Sequence, residues 1–218
     1  RYVFGPEVQY RAENIRVENH RHYFDLVHPQ GRISDLYLGL PGRHNILNAL
    51  AASALALNYG LQEEQVRTGL SSFRGIKRRF EDHIKQEKLV YIDDYAHHPT
   101  EINALYKAVE ELYPKLKKTI IFQPHLYSRT RDFLGGFAES LSQFDQIILL
   151  PLYPAREKPL PGISSQALLE KIDHQNKALM GHQDVLDYFQ GQKPELVLTV
   201  GAGDIDQLVQ SLKIALLK

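Results

Sequence analysis

Apolar and polar residues alternate over the first 40 positions of the chain. Segments 15–17, 23–27 and 33–38 read as short strands, separated by Asn19-His20 and by the turn His28-Pro29-Gln30-Gly31. At Pro41-Gly42 the period changes from two to 3.6. An Ala/Leu-rich helix is predicted over 45–59, ended by Gly60, and a shorter one over 63–70. So few short strands and helices hardly close a core alone, so this part reads as the tail end of a larger α/β domain.

From about residue 75 the pattern becomes regular. Apolar strands over 89–92, 119–122, 146–152, 178–180 and 196–200 alternate with helical segments over 99–113, 131–144, 164–172, 184–189 and 204–217. Apolar strands alternating with amphipathic helices imply βαβ units, hence a parallel sheet covered on both faces. With right-handed crossovers, the expected architecture is a Rossmann-like, mostly parallel, doubly wound sheet. The expected organisation is therefore a partial α/β domain over 1–74 followed by a complete domain over 75–218.

Composition narrows the function classes. Lys and Arg number 26, as do Asp and Glu, so the chain has no net charge and lacks the sustained positive field that nucleic acid or an anionic membrane would require. The charge is uneven: 11 basic and 7 acidic side chains fall in residues 1–80, leaving 15 and 19 for 81–218, and this change coincides with the change of pattern. There is no cysteine, which excludes disulfides, thiolate metal sites and a cysteine nucleophile. No apolar run approaches the ~18 residues that span a bilayer, and a cytoplasmic location is the default expectation. The chain opens on Arg1 rather than Met and is read as a fragment or a processed product.

In an open parallel sheet, ligands bind beyond the carboxyl ends of the strands, and here those ends run into polar clusters. They are Asp93-Asp94-Tyr95-Ala96-His97-His98-Pro99-Thr100-Glu101, Gln123 to Asp132 around His125, Ser128, Arg129 and Arg131, Tyr153 to Pro159, and Gly201-Ala202-Gly203-Asp204. Adjacent carboxylates flanked by imidazoles suit a cation, a ribose diol or an ammonium group, although His98 also suits the plain role of capping the helix that Pro99 opens. Arg129, inside a loop, suits a bidentate clamp on carboxylate or phosphate, whereas Arg131 is equally suited to a surface pair with Asp132. The glycines of 201–203 either cradle phosphate or turn the chain. Asp206 stands where the dinucleotide fingerprint has its third glycine, so a standalone NAD or FAD site is not expected. Earlier in the chain, Asn45 and Asn48 share one helix face beside His44, either as ligands or as helix caps. Arg74, Lys77, Arg78 and Arg79 form a basic hinge, either a solvated linker or a nucleotide contact.

HNILNALAASALA, GIKRRFE, DDYAHHPTEI, FQPHLYSRTRD, YPAREKPLPG and GAGDI, in that order, resemble the later half of the Mur ligases. Within the family the run is most similar to members that join L-alanine to UDP-N-acetylmuramate in cytoplasmic peptidoglycan synthesis. The resemblance implies a ligase that uses ATP and Mg2+ to activate the muramate carboxylate as an acyl phosphate, which the alanine amine then attacks. It assigns His44, Asn45, Asn48, Arg79, Asp93 and Asp94 to ATP. Tyr95, His97, His125 and Arg129 are assigned to L-alanine, with His97 and Arg129 catalytic. Leu126 follows His125 where several relatives carry arginine. No sequence ending in Gly-Lys-Ser/Thr occurs, so the phosphate-binding loop, the magnesium ligands and the UDP-binding domain are expected on the missing amino-terminal and central domains, and no metal site is expected on this chain. By itself the chain is therefore expected to be inactive. Two alternatives are a muropeptide-recycling ligase that joins a tripeptide to the same nucleotide sugar, and a non-catalytic nucleotide-binding module of flavodoxin-like shape.

Overall fold

The computed structural model describes residues 9–218, so the first eight positions of the expected 1–74 segment lie outside the described residues. The chain divides into two compact units, one holding the residues up to Ile76 with Lys107–Pro114 and the other Lys77–Tyr106 with Lys115–Lys218.

In the first unit, β1 (Arg11–Glu18), β2 (Arg21–His28) and β3 (Gly31–Leu38) form an antiparallel sheet in that order. Asn19 and His20 both take positive φ, 51° and 56°, giving the primed two-residue turn that matches the twist of the flanking strands. Helices α1 (Arg43–Asn58) and α2 (Glu63–Ser72) follow. Ile46, Leu50 and Ala54 recur every four residues along α1, and this buried stripe joins Phe24, Leu26 and Leu36 of the sheet and Val66 of α2 in one core.

The second unit is built on six strands: β4 (Glu81–Lys85), β5 (Val90–Asp94), β6 (Lys118–Phe122), β7 (Gln146–Leu149), β8 (Lys177–Leu179) and β9 (Leu196–Val200). Their order is β4-β5-β9-β6-β7-β8, with all but β4 parallel. The last strand in sequence thus sits between β5 and β6. Helices α3 (Pro99–Leu112), α4 (Tyr127–Asp132), α5 (Leu134–Leu141), α6 (Ser165–Lys171), α7 (His182–Phe189) and α8 (Leu208–Leu216) connect or follow the strands. Ile121, Ile148 and Val197 face α7 and α8 on one side, whereas Phe122 meets Phe137 of α5 at 5.5 Å on the other. The sheet is doubly wound, as the pattern predicted.

Local details differ from the sequence reading. The helix expected over 131–144 is two helices, because Phe133 leaves helical geometry (φ −118°, ψ 22°) ahead of Gly135-Gly136. The helix expected over 204–217 opens with a 3-10 turn at Asp204–Gln207. Strand β4 was not anticipated. It is an antiparallel edge strand with a bulge at His83, and Ile84 alone of its residues is buried, so it lacks the apolar run that marks its neighbours.

Candidate functional site

At the carboxyl end of β5 the two adjacent aspartates take different environments. Asp93, expected beside Asp94 at a nucleotide, is 1% exposed. Its carboxylate accepts from Thr199 Oγ1 of β9 (2.7 Å) and from Arg78 Nε (3.1 Å), because the strand register sets it opposite Thr199 in the sheet interior. Arg78 also donates to Gly201 O (2.6 Å) and lies over the Tyr95 ring, so this residue of the basic hinge is a structural anchor that ties the ends of β5 and β9 together. Arg79 is exposed and also lies over Tyr95, 5.5 Å from the ring centroid. Asp94 accepts from the backbone N–H groups of Phe80 (2.7 Å) and Ala96 (2.8 Å), and burial nonetheless raises its carboxyl to about 6.

Beyond Asp94, Tyr95 and His97 project from the β5 loop, and His125 and Arg129 come from the β6 loop and α4. The ring centroids of Tyr95 and His97 are 5.3 Å apart and those of His97 and His125 are 6.4 Å apart. Hydrogen bonding sets the tautomer that each imidazole takes when neutral. His97 Nδ1 lies 2.8 Å from Tyr95 O, and because a carbonyl only accepts, Nδ1 carries the hydrogen and Nε2 of the neutral ring presents a lone pair. His125 Nδ1 lies 3.2 Å from Arg129 Nη1, which only donates, so in His125 the neutral ring carries its hydrogen on Nε2. Burial, then the Arg129 charge, hold the His125 pKa below its ordinary value and favour the neutral ring. The rim therefore offers a guanidinium, an imidazole N–H donor and an imidazole acceptor, a set that matches the carboxylate and the amine of a free amino acid.

Several expected residues have plainer roles. His98 Nδ1 accepts from Thr100 N at the start of α3, the capping role, and Arg131 is exposed and pairs with Asp132 at 2.8 Å. The Gly201–Gly203 loop is packed rather than open. A Cβ on Gly201 (φ 149°) would sit 2.9 Å from Gln123 O, and one on Gly203 2.7 Å from Tyr153 Cβ. Gln123 closes this packing by donating to Asp204 (2.6 Å) and accepting from Ile205 N (3.0 Å). In the first unit, α1 is capped by Gly42 and not by an asparagine. Asn45 donates to Pro41 O (2.7 Å), and Asn48 donates to Asn45 (3.3 Å). Asn45 and Asn48 border a cavity of about 500 Å³ whose apolar walls include Ala52, Val66, Leu70 and Phe73, while His44 is exposed on the first turn of the helix.

Glu81, His83 and Asp93 bring potential metal-ligand atoms within 4.8 Å of one another. Both oxygens of Asp93 are already taken by Thr199 and the Arg78 guanidinium, so these residues do not fit a magnesium ion. Sequence reasoning missed Arg78 as an anchor and missed Tyr153, whose ring stacks on His125 at 5.7 Å. Tyr153 stood in one of the polar clusters, but nothing in the sequence said which loop it would meet.

A profile of the Mur ligase glutamate ligase domain matches residues 78–203. UDP-N-acetylmuramate–L-alanine ligase from Flavobacterium johnsoniae is 50% identical over 97% of this chain, which covers 47% of that protein. The enzyme of the same name from Parabacteroides distasonis is 48% identical over 100% of the chain and is likewise covered to 47%. Among solved structures, UDP-N-acetylmuramate–alanine ligase from Thermotoga maritima aligns with a TM-score of 0.79 at 26% identity, over 94% of this chain and 45% of that one. The chain thus spans about half the length of these relatives. No helix among the described residues is long and apolar enough to cross a membrane.

Proposed function

The chain belongs to the Mur ligase family, and on that footing we propose that it forms the amino-acid-binding half of an ATP-dependent ligase that joins L-alanine to UDP-N-acetylmuramate in peptidoglycan synthesis. The observation that carries the reading is the pair of opposite imidazole states beside Arg129: His125 with a hydrogen on Nε2, His97 with a lone pair there. The names of relatives at 50% and 48% identity support the choice of alanine.

In this reading the γ-phosphoryl group of ATP passes to the muramate carboxylate, giving the acyl phosphate and ADP. Arg129 and His125 Nε2–H hold the alanine carboxylate, and the ammonium lies toward His97. A protonated amine has no lone pair to attack with, so His97 Nε2 takes the proton as a general base. The freed nitrogen attacks the acyl carbon, and the tetrahedral intermediate collapses with cleavage of the C–O bond to phosphate while the nitrogen's second proton passes to the departing phosphate, leaving the amide and inorganic phosphate. Tyr95 walls the amino-acid site. His44, Asn45, Asn48, Arg79 and Asp94 are proposed as ATP contacts, on the strength of the motif resemblance. No step is assigned to magnesium, which Glu81, His83 and Asp93 do not fit.

The test is product formation by the longer ligase that carries this chain as its carboxyl-terminal half. ADP release that requires both UDP-N-acetylmuramate and free L-alanine supports the proposal. Release that requires a tripeptide in place of alanine refutes it in favour of a recycling ligase.

A further inference from the structure

Helix α4 carries Arg129 but lacks a cap of its own. Its N-cap residue is Leu126, which has no side-chain acceptor and stands at φ 72°, ψ 133°, a conformation that strains a non-glycine residue. The next loop supplies what is missing. Glu157, after β7, accepts from Ser128 N (2.9 Å) and from Ser128 Oγ. These bonds, the one to the Ser128 hydroxyl foremost, hold its carboxyl below the ordinary glutamate range. The two loops are joined again further back: Leu126 N donates to Tyr153 O (2.9 Å), Tyr153 N donates to Pro124 O (2.8 Å), and the Tyr153 ring stacks on His125 with planes 12° apart. The turn that aims Glu157 at α4 is closed by Glu157 N donating to Pro154 O (3.0 Å).

His125 and Arg129 thus sit on a segment whose helical start is satisfied from a different strand. From this geometry we infer that Glu157 is a positioning residue for the amino-acid carboxylate clamp. It touches neither substrate nor the reacting atoms. It fixes the first turn of α4, and thereby the reach of Arg129 and its bond to His125. The inference rests on the alanine-clamp reading above.

The experiment measures KM for L-alanine and for ATP in the longer ligase, for Arg129→Ala, Glu157→Ala, Glu157→Gln and Ser128→Ala. Glu157→Ala is expected to raise KM for alanine about tenfold, the scale of a lost helix cap, and to leave KM for ATP unchanged. Glu157→Gln keeps one acceptor oxygen and should recover part of the loss, and Ser128→Ala should cost about two- to threefold. On the chain as it stands, the His125 ring resonances should shift in Glu157→Ala, whereas those of His182, on α7, should not. If Arg129→Ala leaves KM for alanine unchanged, the clamp reading itself fails. If Arg129→Ala raises it and both Glu157 variants match the parent, the clamp stands and the positioning role is overturned. Should Glu157→Ala not fold, Glu157→Gln and Ser128→Ala decide by the same criterion, and equal rises in both KM values would reduce Glu157 to a general structural role.

Discussion

Arg129 both offers a cation at the rim and orients the His125 imidazole, so its removal tests the proposed clamp most directly. A hydrogen bond to a charged group contributes about 1.5–3 kcal/mol. Arg129→Ala should therefore raise the alanine concentration for half-maximal rate by roughly 10- to 150-fold in the longer ligase, read from initial rates of ADP release. Asp94 makes a second residue-level prediction. Its carboxyl titrates at about 6 against 3.8 for an unperturbed aspartate, so the folded state holds the proton more tightly than the unfolded chain does. The stability linked to it is complete below about pH 4 and is lost as pH rises through 6, by up to about 3 kcal/mol for a shift of this size. Urea unfolding of the parent and of Asp94→Asn between pH 4 and 7 should show the parent losing its advantage over that interval. A constant difference would mean that the two backbone donors, Phe80 and Ala96, offset the burial completely.

At the scale of elements, β9 holds the sheet together although it is the last strand made. Leu198 pairs with Ile92 of β5 on one side and Ile120 of β6 on the other, and it is fully buried. Leu198→Ala should cost about 2–5 kcal/mol in chemical unfolding, as core truncations of this kind do. Leu217→Ala, at a position 53% exposed, should stay within about 0.5 kcal/mol. The run LVLTV announced that strand in the sequence because a strand buried on both faces is mostly apolar, its one polar member, Thr199, being satisfied by Asp93. Its central place could not be read there, since strand order is settled by packing between segments a hundred residues apart. The same limit explains the other differences. Strand β4 shows too little apolar surface to be seen, being an edge. The pair Asp93-Asp94 looks equivalent in sequence, and only the register opposite Thr199 puts one inside. Alternation, turn residues and apolar runs are local signals and survived; Glu157 meeting Ser128 across two loops is a tertiary fact with no local trace. The gathering of Tyr95, His97, His125 and Arg129 was legible because parallel strands must deliver their carboxyl-end loops to one rim.

At the scale of the whole chain, the chemistry present and the chemistry required do not coincide. Carboxylate activation needs groups that hold and neutralise a transferring phosphoryl group, usually a glycine-rich loop with its lysine and a bound metal. No such loop occurs in the 218 residues. At Gly201 and Gly203 the space where a side chain would start is taken by Gln123 and Tyr153, so these glycines are explained by close packing. What the chain does hold is the rim of Arg129, His125 and His97, which the proposed function assigns to the amino acid. Relatives twice as long carry another half, and the proposed function leaves phosphoryl transfer to it. Incubated with ATP, UDP-N-acetylmuramate and L-alanine, this chain alone should yield neither ADP nor amide above background. It should still bind alanine weakly, visible as shifts of the His97 and His125 ring signals that Arg129→Ala abolishes. Amide formation by the isolated chain would show that phosphoryl transfer is supplied by residues present here, and the assignment of the rim to the amino acid alone would fall with it.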